Sequence, residues 1–189
     1  MTDHKTSDSM LFSEEDYPGI WMRAAIVLID SVVLLCVSFT FAMFCYAVGV
    51  RNPDGMWLAS SLVFFYVYLT VLKQSQVRTV AFRVMGARIV NDKAERPSIF
   101  RMMFRLLIWA VGPFNVLMDF LWLGGDRNRQ TLRDKFSGTW VVRRNAVPAS
   151  SAKRKATSYN VGGLTCIFWE LLPRDELDTD LQTAVDGVA

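Results

Sequence analysis

The chain has 189 residues, enough for one compact unit, and 52% of them are hydrophobic. Three cysteines without a CxxC spacing and a single histidine, His4, exclude a disulfide framework, a zinc site and histidine-based catalysis, so no metal or cofactor is expected. The net charge of +3 is small, and the apolar residues are gathered in blocks rather than scattered at the period of a soluble fold, which points to a membrane protein.

Residues 1–16 read as a polar, mobile tail. Tyr17-Pro18-Gly19 turns into an apolar run from Ile20 to Val50, long enough to cross a bilayer, which takes about 20 residues. It is too long for the apolar region of a signal peptide and has no basic lead-in, so it reads as a retained transmembrane helix. Arg51-Asn52-Pro53-Asp54-Gly55 is a turn, and a second transmembrane helix follows from Met56 to Leu72, with Trp57 and Lys73 marking its two interfaces. So short a turn makes the two helices an antiparallel hairpin.

Gly86 to Val90 alternates and ends at the turn signal Asn91-Asp92; Gly138 to Val142 has a similar β-branched and aromatic character. These two segments are expected to pair as a small cytoplasmic two-stranded element. Between them, Pro97 to Gly125 is apolar but interrupted by Gly112-Pro113. Residues 73–105 hold eight Lys or Arg against two acids, and residues 126–155 hold nine against two. Positive charge marks the cytoplasmic side, so both blocks stay inside only if the segment between them folds back or lies along the surface. The fold class expected is therefore an all-α membrane protein: two transmembrane helices in an antiparallel hairpin plus a broken re-entrant or interfacial helical pair, with the small β element. The N-terminus is then cytoplasmic too. Residues 145–189 are expected to be mostly disordered, with a short amphipathic helix near Leu164 to Leu172. The basic blocks flank hydrophobic segments, so they read as positive-inside flanks and not as a nucleic-acid surface.

Two ionisable residues lie in the first apolar run, Arg23 near its start and Asp30 well inside. A charge at that depth costs about 2.5–3.5 kcal/mol on insertion scales, so it has a partner or a task. The two are seven residues apart and share a helix face, about 10 Å along the axis, which is too far for an easy bridge. Arg23 can extend toward the headgroups, whereas Asp30 needs a donor from another element, water or a proton of its own. The functional reading is a proton- or cation-responsive carboxylate; the structural one is a polar pin between helices. The stretch from Asp126 to Lys135 packs four cations and two acids into ten residues. Arg127, Arg129, Arg133 and Lys135, together with Arg101 and Arg105 four apart on one helix, are candidate contacts for an anionic lipid or other anion. Asp134 is placed to brace the turn into the strand at Thr139. Asp119 and Asp126 are secondary candidates.

These residues, taken in order, resemble the RDD family of bacterial membrane proteins, whose name records one Arg and two Asp. Arg23 and Asp30 match the first two signature positions, and Asp134 the third, with Asp126 the other candidate. The block DRNRQTLRDKFSGTWVV is similar to the family's late D-R-x-R-x-T-L-H-D-x-x-x-G-T stretch. Two departures stand out: SQVRTVAFRVMGARIV lacks the Gly-rich approach to the middle strand, and Arg133 stands where a His often precedes the second Asp. The resemblance covers about Tyr17 to Arg143, so the membrane domain is drawn at 17–144. It implies a bacterial inner-membrane protein, with transport of small ligands or ions suspected but no settled activity. No nucleophile–base pair or phosphate loop is visible, so an enzyme is not expected. The two functional expectations are a small transporter or transporter subunit coupled through Asp30, and a scaffold that binds anionic lipid or a partner through its basic face. Two helices cannot enclose a path, so the first requires a homo-oligomer or a membrane partner.

Overall fold

The computed structural model describes residues 9–110, 119, 122, 123, 126, 129–161 and 164–173. Helix α1 (Ile20–Ala47) is 28 residues long, which at 1.5 Å per residue is about 42 Å. Its buried residues are Arg23, Ile26, Asp30, Leu34, Ser38 and Cys45, spaced by one three, then fours and a seven along one face. The remaining surface carries exposed Leu28, Leu35, Phe39 and Phe44. Helix α2 (Pro53–Tyr66) starts at Asn52, whose side chain accepts from Gly55 N at 3.1 Å, with Pro53 in the first turn. It runs on into a π-helical segment, Val67–Leu72.

The two helices pack antiparallel. Tyr68 meets Asp30, the hydroxyls of Ser38 and Ser61 lie 2.9 Å apart, and Tyr46 bonds Asp54, so positions rise on one helix as they fall on the other. Trp57 Nε1 also donates to the Ser38 carbonyl at 3.1 Å. The seam between these apolar helices is thus polar, while their outer faces are apolar. In water that pattern would be upside down; in lipid, polar groups must turn inward.

The chain then forms a short helix α3 (Val80–Val84), strand β2 (Ala87–Asn91), helix α4 (Ile99–Ala110), helix α5 (Leu132–Ser137) and strand β3 (Thr139–Arg143). Strands β2 and β3 pair antiparallel, with Ile89 opposite Val141 and Val90 opposite Trp140. This is the pairing expected from Gly86–Val90 and Gly138–Val142. Both faces of the ribbon are covered. Ala87, Ile89 and Val141 pack with Ile26, Phe82 and Met102, which ties the ribbon to the base of α1 and to α4. Val90, Trp140 and Val142 pack on the opposite side with Leu11, Tyr17, Ala152 and Leu171. Alternating side chains thus feed two cores.

The expectation of an all-α protein is overturned. The described residues hold a second antiparallel sheet in the order β1-β4-β5, built from β1 (Ser9–Leu11), β4 (Ser150–Val161) and β5 (Leu164–Pro173). Together with the β2–β3 ribbon this makes the fold mixed helix and sheet. Strands β4 and β5 lie where little order and a short helix are expected. They form because Phe168, Leu171, Leu172 and Ala152 find a core to enter. The break at Gly112-Pro113, and with it the second half of the expected helical pair, lies outside the described residues apart from 119, 122 and 123.

Candidate functional site

Asp134 is fully enclosed, with no exposed surface. It sits in the first turn of α5, where Thr131 and Asp134 form a capping box: Thr131 Oγ1 accepts from Asp134 N at 3.3 Å and Asp134 Oδ2 accepts from Thr131 N at 3.2 Å. The T-L-R-D spacing makes this local geometry. Two arginines from distant elements complete it. Arg23 of α1 donates through Nη1 to Asp134 Oδ2 at 2.8 Å, and Arg105 of α4 forms an ion pair with Oδ1. Burial opposes the charge on Asp134, but Arg105, Arg23 and Arg133 outweigh it and hold the carboxyl at about 2. Burial likewise pulls the Arg105 guanidinium down to about 10, against the pull of Asp134.

Both arginines make further bonds. Arg23 Nη2 donates to the Arg129 carbonyl at 2.6 Å and Nε to the Pro18 carbonyl at 3.4 Å. Arg129 holds a left-handed backbone, φ 45°, uncommon for a residue with a side chain. Arg105 Nη1 donates to Thr139 Oγ1 at 2.9 Å, which links Asp134 to the start of β3. The bracing of that strand therefore passes through Arg105, while the carboxylate itself caps its own helix.

Asp30 is buried deeper along α1. Its Oδ1 accepts from Tyr68 Oη at 2.9 Å, and its Oδ2 from Thr79 Oγ1 at 3.2 Å and from Lys73 Nζ at 3.4 Å. Of the alternatives that sequence leaves open, donors from other elements are the ones present. The π-helical segment carries Tyr68 toward α1, and Lys73 follows directly after it. Thr79 stands at the N-cap position of α3 yet gives its hydroxyl to Asp30; Val80 N donates instead to Tyr68 Oη at 3.2 Å. Lys73 lies just past the second apolar helix, its ammonium 4.8 Å from the Phe82 ring centre. Burial pulls its pKa down to about 8, with Asp30 acting against the fall.

The remaining candidates form a rim. Asp119 accepts from Arg133 N at 3.2 Å and pairs with Arg133 Nε at 2.8 Å; burial pushes its carboxyl up while Arg133 draws it back. Asp126 is buried, accepts from Gln130 N at 2.8 Å and pairs with Lys135. Arg101 bonds both Asp92 Oδ1 and the Gly138 carbonyl at 3.0 Å. Of the six basic residues expected as lipid or anion contacts, Arg129 is exposed, Arg127 lies outside the described residues, and Arg101, Arg105, Arg133 and Lys135 are all engaged with acids.

Between α1, the end of the π-helical segment and α4 lies a cleft of about 80 Å³ lined by Asp30, Lys73, Arg105 and Arg133. The Asp30 and Asp134 clusters thus face one space. Sequence reasoning missed Lys73, Tyr68 and Thr79 as partners of Asp30, and Arg105 as partner of Asp134. Only the T-L-R-D capping pattern was there to be read; a Tyr, a Thr and an interfacial Lys are ordinary at such places.

Two helices are long and apolar enough to cross a membrane, polar where they meet and apolar where they do not, with a paired carboxylate in their seam, which is the pattern expected of a membrane protein. Its charged residues clamp the base of the first helix to the segments that follow. The chain belongs to the RDD family, whose family model matches residues 17–138. That match includes Arg23, Asp30 and Asp134 and leaves out β4 and β5. No characterised relative and no solved structure matches the chain.

Proposed function

We propose that this protein is a small transporter, or a subunit of one, in a bacterial inner membrane. Both apolar helices cross the bilayer, and the basic segments and N-terminus lie on the cytoplasmic side. Asp30 is the coupling group, taking up and releasing a proton or cation. The observation that carries this reading is the Asp30–Lys73 pair at 3.4 Å lining the cleft, where an arriving proton or cation competes with the lysine for the carboxylate. Asp134 has the other task. Held by two buried arginines and a capping box, it keeps the cleft in shape. Two crossings cannot enclose a path, so the working form is a homo-oligomer or a complex with a membrane partner. No enzymatic step is part of the reading.

The test is ion flux into vesicles reconstituted with full-length protein, wild type against Asp30→Asn. The amide keeps the size; its one oxygen can accept from Tyr68 or Thr79, and its NH2 can donate to the hydroxyl oxygen of the other. Loss of flux in a protein that inserts normally is the expected result; equal flux in both removes the proposal. A second reading, a scaffold binding anionic lipid or a partner through its basic face, is supported by the Arg23–Asp134–Arg105 clamp, which joins distant elements without needing turnover. It predicts that Asp30→Asn lowers abundance and partner recovery together.

A further inference from the structure

The charges around the cleft do not balance. Among the described residues, four cations (Arg23, Lys73, Arg105 and Arg133) face three carboxylates (Asp30, Asp119 and Asp134). The Asp92–Arg101 and Asp126–Lys135 pairs each add one charge of each sign and leave the excess unchanged. Three of the four cations line the cleft, against one acid. A net positive charge is costly where water is scarce, even when each cation has an acid beside it. We propose that the cleft is an oxyanion site, taking a phosphate group on Lys73, Arg105 and Arg133.

The donor chemistry suits that ligand. A guanidinium carries five N–H groups in a planar fork. Arg105 meets Asp134 and Thr139 through Nη1, and Arg133 meets Asp119 through Nε, so neither contact uses up its fork. Two forks and an ammonium converging on one space match the several oxygens of a phosphate better than the two of a carboxylate. Asp30, the one acid among the described residues of the walls, already accepts from three donors, so the three cations around it outnumber the carboxylates they face there. At about 80 Å³ the cleft exceeds the roughly 10–15 Å³ one water needs by several-fold, enough to admit a tetrahedral group. Val27, Leu69 and Leu106 are among the apolar residues of the walls, lowering the local dielectric and strengthening each contact. The same apolar walls suit the ester carbon of a phospholipid headgroup or of a soluble phosphate ester. The inference goes beyond the transport reading and does not need it: a phosphate held but never moved gives binding without flux.

The experiment is thermal unfolding of the purified full chain in two arms. In the first, the protein sits in phosphatidylcholine nanodiscs and inorganic phosphate is titrated against chloride at constant ionic strength. In the second, phosphatidic acid replaces part of the neutral lipid. A saturable rise of several degrees in the midpoint is expected in at least one arm. A rise in the first assigns the site to soluble phosphates, and a rise confined to the second assigns it to a lipid headgroup. The double variant Arg133→Gln with Asp119→Asn removes both members of a pair and so leaves no stranded charge; it should weaken the response at least tenfold. Should that variant not fold, Leu106→Trp, which fills the cleft and alters no charge, should abolish the rise. No rise in either arm overturns the inference, as does a rise of equal size and midpoint in a folded variant. Normal phosphate binding alongside absent flux would remove the transport reading and leave this one standing.

Discussion

At Asp134 three elements meet on one carboxylate, and most of the site's energetics follows. Removing that charge leaves Arg23 and Arg105 buried without their partner. Breaking a buried pair from one side costs about 3–5 kcal/mol. Asp134→Ala is therefore expected to strip most folded protein from the membrane, read as the monodisperse yield after extraction, whereas Asp30→Asn should not. Acid should act in the same direction. The folded carboxyl, held at about 2, lies below the unfolded value of about 3.9, so its stabilising contribution is fully present above pH 4. It fades as pH falls toward 2, and it amounts to about 2–3 kcal/mol. A melting series from pH 6 to pH 3 should show a midpoint that falls below pH 4 in wild type, with a shallower fall in Asp134→Asn. Arg23→Lys should be poorly tolerated despite keeping the charge. A single ammonium cannot span Asp134, the Arg129 carbonyl and the Pro18 carbonyl as the guanidinium does.

Among the elements, α5 is short and the most exacting, six residues held at both ends. Its start depends on the Thr131 cap and its end on Gly138, which holds a left-handed φ of 60°. Thr131→Ala should cost about 1 kcal/mol through the lost cap, and Gly138→Ala about 1–2 kcal/mol through backbone strain, both measurable as lowered melting midpoints. Asp30 was legible in the sequence because a carboxylate in an apolar run is anomalous wherever it falls. The hairpin of α1 and α2 was legible because a five-residue turn joins two bilayer-length runs. The β2–β3 pair was legible because β-branched and aromatic residues alternate between turn signals at both ends. Strand β4 was not: SSAKRKATSYN is rich in Ala, Ser and Lys, poor strand formers that pair here because β1 and β5 supply edges on both sides. Strand β5 is legible only as an apolar patch, for which a short amphipathic helix is the expectation. Its pattern, with Phe168 and Glu170 buried and Ile167 and Trp169 exposed, has the period of a strand. The partners of Asp30 were hidden for a different reason. They come from a π-helical turn and a helix N-cap, and neither shift of register is written in residue type.

For the whole molecule, the arrangement is two apolar helices standing on a folded base that includes two sheets, with the charged clamp at the junction. The base is built in part from β4 and β5, beyond the residues matched by the family. Truncation after residue 149 would remove Ala152 and Leu171 from the core that covers Trp140 and Val142, a loss of about 3 kcal/mol from burial. Limited proteolysis should then cut near β3 in the truncated chain and spare it in the full one. The central claim is a division of labour: Asp134 maintains the structure, and Asp30 does the work. The most direct measurement is flux per inserted molecule in vesicles, with Asp30→Asn and Asp134→Asn prepared side by side. The account predicts that Asp30→Asn inserts at near wild-type amounts and carries no flux, while Asp134→Asn inserts poorly and the fraction that does insert still transports. Wild-type flux per molecule in Asp30→Asn would contradict it.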